Sequence, residues 1–202
     1  MIPSFYRKDL IMKKMGKMQN NLKRGNVYRR ADLAQFSSAV DRHLSELVKE
    51  GTLVKLSQGL YHFPKQSAFG PVPPEDAVLV RSFLKDEDFL ITSPNDYNSL
   101  GVGTTQLYNK RVVYNHKRHG EFELGSTRFS FVAKPRFPKK ATPEFLLVDL
   151  VNNIGNLAED PELVMRQVQS RALSMDAVKL KQAVRSYGGV RAKKVFAPLL
   201  SL

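Results

Sequence analysis

The chain has 202 residues, 42% of them hydrophobic and none of them cysteine, and a formal net charge of +13. That length holds one sizeable domain or two small ones, and the absence of thiols excludes disulfides, thiolate metal sites and a cysteine nucleophile. No run approaches the ~18 apolar residues of a membrane span and the first ten residues lack a signal-peptide core, so a soluble, cytoplasmic protein without a membrane partner is expected.

In chain order, residues 4–22 place Leu10, Ile11, Met15, Met18 and Leu22 at near-helical spacing, which predicts a first helix. Lys23-Arg24-Gly25-Asn26 ends it, and Val27-Tyr28 suits a short strand. Arg29 and Arg30 then precede the stretch from Ala31 to Phe63, which reads as helix, turn, helix and a tight hairpin. In the second of these helices Val40, Leu44, Leu47 and Val48 form one apolar stripe of period 3.6. Ser38 and Asp41 have the spacing of a capping box, which starts the helix near Ala39, and Gly51 is a left-handed stop. Leu53 to Leu56 and Leu60 to Phe63 are two short strands about a Ser57-Gln58-Gly59 turn. The pattern predicts a winged helix-turn-helix over residues 1–66.

The free face of that helix is expected to carry Ala39, Arg42, His43, Glu46 and Lys49, with Ser37 and Ser38 near its start, and the hairpin adds Lys55, Ser57 and Gln58. These types suit double-stranded DNA, because a helix fits the major groove, where arginine pairs with guanine edges. Lys55 and the wing tip would meet phosphate, and Arg29 and Arg30 could do the same. The plain alternative is a solvated charged face on a protein-docking module.

Residues 64–74 are rich in proline and glycine, which predicts a linker and a second domain over 72–202. Pro74 opens a helix through EDAVLVRSFL, Phe89-Leu90-Ile91 is a short strand or a continuation of that helix, and Ser93 to Asp96 caps a further helix holding Tyr97 and Leu100. The glycines at 101 and 103 do not complete a dinucleotide loop. Period-two segments at 112–114, 122–124 and 129–132 predict antiparallel strands of a small sheet. A helix is expected from Thr142-Pro143-Glu144, then three more at 161–173, 175–187 and 191–200, with Ser174 and Asp176 suggesting a cap and Gly188-Gly189 a break. The fold class is therefore α+β: a winged helix-turn-helix, then a small mixed domain with antiparallel strands and a helical C-terminus.

Charge is unevenly spread. Residues 1–70 hold 13 Lys and Arg against 5 acids, residues 71–109 hold 2 against 6, and residues 110–140 hold 9 against 2. The last segment forms a second basic patch, with Lys110, Arg111, Lys117, Arg118, Arg128 and Lys134 as its principal members. Fields of this sign attract polyanions. No catalytic constellation is found: there is no G-x-S-x-G, H-E-x-x-H or P-loop. His116 and His119 read as surface histidines, and Asp149, Glu159 and Asp160 as solvated acids on or beside helices. No catalytic residue, cofactor or metal is expected.

The run from Val27 to Phe63, with D-L-A, L-S-E-L-V-K-E-G-T-L-V-K-L and G-L-Y-H-F, resembles the N-terminal domain of the AbiEi antitoxin family, the transcriptional regulators of AbiE-type abortive-infection (phage-defence) toxin-antitoxin systems. Phe89 to Gly101, FLITSPNDYNSLG, resembles the segment that opens the second domain of that family. Together they cover roughly half the chain, whose second domain would be a compact variant. The resemblance implies a DNA-binding regulator that represses its own operon by holding an operator and antagonises a nucleotidyltransferase toxin. Gly125-Ser126 lacks the acid pair that marks such toxins. Two other readings stand beside it: a plain winged-helix transcription factor without a toxin, and an RNA-binding protein that uses the basic 110–140 segment.

Overall fold

Residues 18–200 are described by the computed structural model, so most of the expected first helix lies outside the described residues. Met18 and Leu22, at its end, are buried with Leu33, Val40, Leu44, Leu47 and Leu53. The chain then forms β1 (Val27–Arg29), α1 (Arg30–Leu33) with a 3-10 turn (Ala34–Phe36), α2 (Val40–Lys49), β2 (Val54–Ser57) and β3 (Leu60–His62). The strands make an antiparallel sheet of order β1-β3-β2, in which Val27 and Val54 both face His62 and β2 shifts register between Lys55 and Ser57. Gly51, at φ 73°, lets the chain leave α2 through a left-handed turn that a side chain would oppose.

Ser38 and Asp41 form no capping box: the N-cap of α2 is Ala39, without a side-chain bond. Asp41 turns instead to Arg30, whose Nε and Nη2 reach its two carboxylate oxygens, because a guanidinium fork offers a carboxylate more than one backbone N–H does. The stretch 64–74 is also no open linker. It contains a hairpin of β4 (Lys65–Ser67) and β5 (Gly70–Val72), with Gln66 opposite Pro71, and is tied back by the His62 ring, whose Nε2 lies 3.1 Å from the Val72 carbonyl oxygen. Next comes α3 (Asp76–Leu84), which buries Leu79, Val80 and Leu84. The first compact unit accordingly runs through Glu87 and takes in Glu123–Thr127, so the chain does not part between 66 and 72.

The second unit holds residues 88–122 and those from 128 onward. Its strand β6 (Phe89–Thr92) leads into a 3-10 helix (Pro94–Leu100) that carries the expected capping box: the Ser93 hydroxyl accepts the Asn95 N–H, and the Ser93 N–H donates to Asp96. Then follow β7 (Arg111–Asn115), β8 (Gly120–Leu124) and β9 (Thr127–Ala133), in the order β6-β7-β9-β8. The pair β6 and β7 is antiparallel, as expected of this small sheet, but β7 and β9 are parallel, with Val113 opposite Phe131, so antiparallel pairing holds for only part of it. Residues 116–119 are enough to step across two strand spacings of ~4.8 Å, which leaves a slot beside β7 that β9 fills.

Helix α4 (Pro143–Asn153) is the centre of this unit: Phe145 to Val151 are all buried. A 3-10 turn (Ile154–Asn156), α5 (Pro161–Leu173), α6 (Ala177–Tyr187) and α7 (Val190–Leu200) follow. Thr142, Asp160 and Asp176 cap α4, α5 and α6 through their side-chain oxygens, so Asp176 rather than Ser174 supplies the α6 cap. Among the described residues no helix is long and apolar enough to cross a membrane.

Candidate functional site

The outer side of α2 begins with Ser38 and Ala39, both exposed, and continues through Arg42 and Lys49. Arg42 is 60% exposed, and its Nε lies 3.1 Å from Glu46 one turn on, a contact of the i,i+4 kind that water competes with readily. Lys55 and Gln58 are exposed on the hairpin. Arg29 pairs with Asp32 at 3.1 Å. Hydrogen bonding to Asp41 raises the pKa of Arg30, and the same bond lowers that of Asp41.

Three expected members leave this face. His43 is 1% exposed, and its Nδ1 lies 2.9 Å from the hydroxyl of Ser37, which is buried as well. His43 stands three residues after Val40 and four before Leu47, so helical geometry puts it on the apolar stripe despite its polar type. The Ser37 hydroxyl also accepts the Ala39 N–H at 3.0 Å, which shapes the entry to α2. Ser57 is half-buried, and its hydroxyl is turned inward without a partner among the described residues. The accessible set is Ser38, Ala39, Arg42, Lys49, Lys55 and Gln58, flanked by Arg29 and Arg30.

The second basic patch is less uniform than its sequence suggests. Lys117, Arg118 and Arg128 are exposed, and the Arg118 guanidinium lies 5.8 Å from the Phe122 ring centre. Lys110 is 3.7 Å from Glu121, and Arg111 is half-buried at the start of β7. The turn that presents Lys117 and Arg118 is held by Asn115, whose Oδ1 accepts both their N–H groups at 2.8 and 2.6 Å. His116 stacks on Phe137 at 4.7 Å and reaches Asp88 at 3.2 Å. Among the described residues no three side chains of His, Cys, Asp or Glu gather as metal ligands.

Lys134 does not belong to the patch. Its Nζ lies 3.3 Å from Asp149 and 3.7 Å from the centre of the Tyr114 ring. Asp149, expected as a solvated acid, is 1% exposed and accepts the hydroxyls of Tyr97 and Tyr114, each at 2.8 Å. Asn153 donates to both tyrosine oxygens and to the Asp149 carbonyl. Burial first, then the charge of Asp149, raises the pKa of both hydroxyls, so they stay protonated and keep donating. Both oxygens of the carboxylate are thus engaged inside the unit, by two hydroxyls and one ammonium group. Its signal was present in the sequence: Asp149 interrupts the apolar run FLLVDLV, and an acid so placed is buried with its helix and must be paired.

The sequence matches no protein-family model, and no curated protein matches it significantly. Among solved structures, the fold is similar to the crystal structure of the RV2827C protein from Mycobacterium tuberculosis, with a TM-score of 0.55 and 16% identity. The match covers 100% of this chain and 78% of that one, and at this identity it speaks for the fold alone.

Proposed function

We propose that the chain is a DNA-binding regulator whose first unit is a winged helix-turn-helix. The observation that supports this most directly is the sheet order β1-β3-β2 around α1 and α2, in which a short strand ahead of two helices closes onto the far strand of the following hairpin. With the apolar stripe of α2 turned inward, Ser38, Ala39 and Arg42 are its base-reading side. Lys49, Lys55 and Gln58, flanked by Arg29 and Arg30, contact phosphate and set register without reading sequence. The resemblance of residues 27–63 and 89–101 to the AbiEi family extends the reading: the regulator represses its own operon and acts as antitoxin against a nucleotidyltransferase toxin.

The test uses the full chain on duplexes from its upstream region and on random duplex. Arg42→Ala is expected to weaken specific binding by about 1–3 kcal/mol while leaving random duplex nearly unchanged, and the double variant K49A/K55A to weaken both and flatten the salt dependence. Equal loss on both duplexes in R42A reduces Arg42 to a phosphate contact. No loss on either removes α2 from recognition.

A further inference from the structure

One cavity of the second unit is distinguished by its charge. It is an open concavity of about 610 Å3 between the end of β9, the last turn of α4 and the connection from α6 to α7. Lys134, Arg136 and Arg191 line it, and no carboxylate side chain does. Lys134 is neutralised from within by Asp149 at 3.3 Å. Arg136 and Arg191 make no ion pair among the described residues.

The wall of the cavity is built. The Asn152 side chain accepts the Gly189 N–H at 2.9 Å and donates to the Tyr187 carbonyl at 3.0 Å, pinning the connection at both ends. Gly188 packs so closely on the preceding turn that a Cβ there would lie 2.4 Å from the Val184 carbonyl oxygen, and a Cβ at Gly189 would lie 3.0 Å from Asn152 Oδ1. Gly188 is therefore required by close approach to backbone, Gly189 is tight against Asn152, and the pair is more than a break between helices. It holds Ser186 and Arg191 at the edge of one concave surface.

Two arginines lining one concavity that no carboxylate side chain lines favour an oxyanion there. Their planar forks match phosphate oxygens two at a time. The volume falls within the ~300–1,000 Å3 usual for small-molecule sites, larger than one phosphate needs. We propose that this cavity binds a small phosphate-bearing ligand of nucleotide size, with Arg136 and Arg191 gripping the phosphate and Asn152 holding the wall that receives the remainder. The site lies wholly in the second unit, so it stands or falls separately from the DNA reading.

Titration calorimetry of the full chain with AMP, ATP and inorganic phosphate tests it. Saturable one-to-one binding of a nucleotide is expected, weakened about tenfold or more in both Arg136→Ala and Arg191→Ala, the loss of one charge-assisted contact in each. The control K139A/K140A, exposed and outside the lining, is expected to bind as the parent does. Should R191A fail to fold, Arg191→Lys keeps the charge without the fork and is expected to bind more weakly. The inference is overturned by no binding, by equal binding in parent and arginine variants, by loss in K139A/K140A of the same size, or by inorganic phosphate binding as tightly as the nucleotides.

Discussion

Replacing Asp149 with Ala removes at one stroke the acceptor of two buried hydroxyls and the counter-charge of Lys134. Tyr97 and Tyr114 each donate to the carboxylate at 2.8 Å, and a hydrogen bond to a charged group contributes about 1.5–3 kcal/mol. The ion pair gives a second route to the magnitude: removing one partner of a buried pair costs about 3–5 kcal/mol. Both figures describe the same groups and are not additive, so about 4 kcal/mol is expected for D149A, against a whole-domain stability of about 5–15 kcal/mol. Asp149→Asn keeps the volume and one acceptor and should cost about half as much. Lys134→Met should cost less again, about 1 kcal/mol, since the two hydroxyls still satisfy the carboxylate and the lysine side chain is 29% exposed. Urea unfolding followed by circular dichroism and by tyrosine emission, which no tryptophan obscures in this chain, measures all three. A cost below 1 kcal/mol for D149A, or K134M as damaging as D149A, would refute the account of the cluster as a carboxylate held chiefly by tyrosines.

Three further outcomes are expected. Burial lowers the pKa of His62 below its ordinary 6.5, so the neutral ring's contribution to stability is full above about pH 6.5 and is lost as pH falls below it, where the unfolded chain takes up the proton first; a ring titration by NMR above 6.5 would mean that the facing carbonyls of Asn26 and Val72 outweigh burial. Gly188→Ala should lower stability by about 1–3 kcal/mol through overpacking against backbone, read as a drop in Tm, and an unchanged Tm would show that the connection yields freely. Charge reversal at Lys117 and Arg118 should reduce DNA affinity and lower the salt slope by up to about one unit per lost phosphate contact; reversal that spares DNA but abolishes rescue from a toxin in cells assigns the patch to the toxin or its RNA, and a variant unaltered in both assays leaves it a solvated turn.

Elements bounded by strong punctuation were legible in the sequence. Pro161 and Gly188-Gly189 delimit the C-terminal helices to within a residue or two, and Ser93 with Asp96 announces a cap that the structure forms. Misreadings arose where a residue's type was allowed to override its position. The chemistry of His43 suggests the open side of its helix, whereas its spacing from Val40 and Leu47 puts it inside. Asp149 and Lys134 look like separate exposed charges in the sequence, because nothing local says that β9 brings the lysine to α4. The parallel pairing of β7 with β9 is equally non-local: each strand has the expected period, and only the length of the step at 116–119 decides which neighbour it finds. Proline and glycine in 64–74 suggest broken structure, whereas they make the turn and edge of a small hairpin.

The chain enters its first compact unit, leaves it after Glu87, and returns for Glu123–Thr127 alone. Those five residues include Leu124, which is 1% exposed. During synthesis those five residues emerge about 2–8 s after Glu87, at ~5–20 residues per second. A nascent or truncated chain that stops between these points lacks five residues of the first unit, and a single proteolytic nick in the intact protein cannot release either unit as one uninterrupted piece.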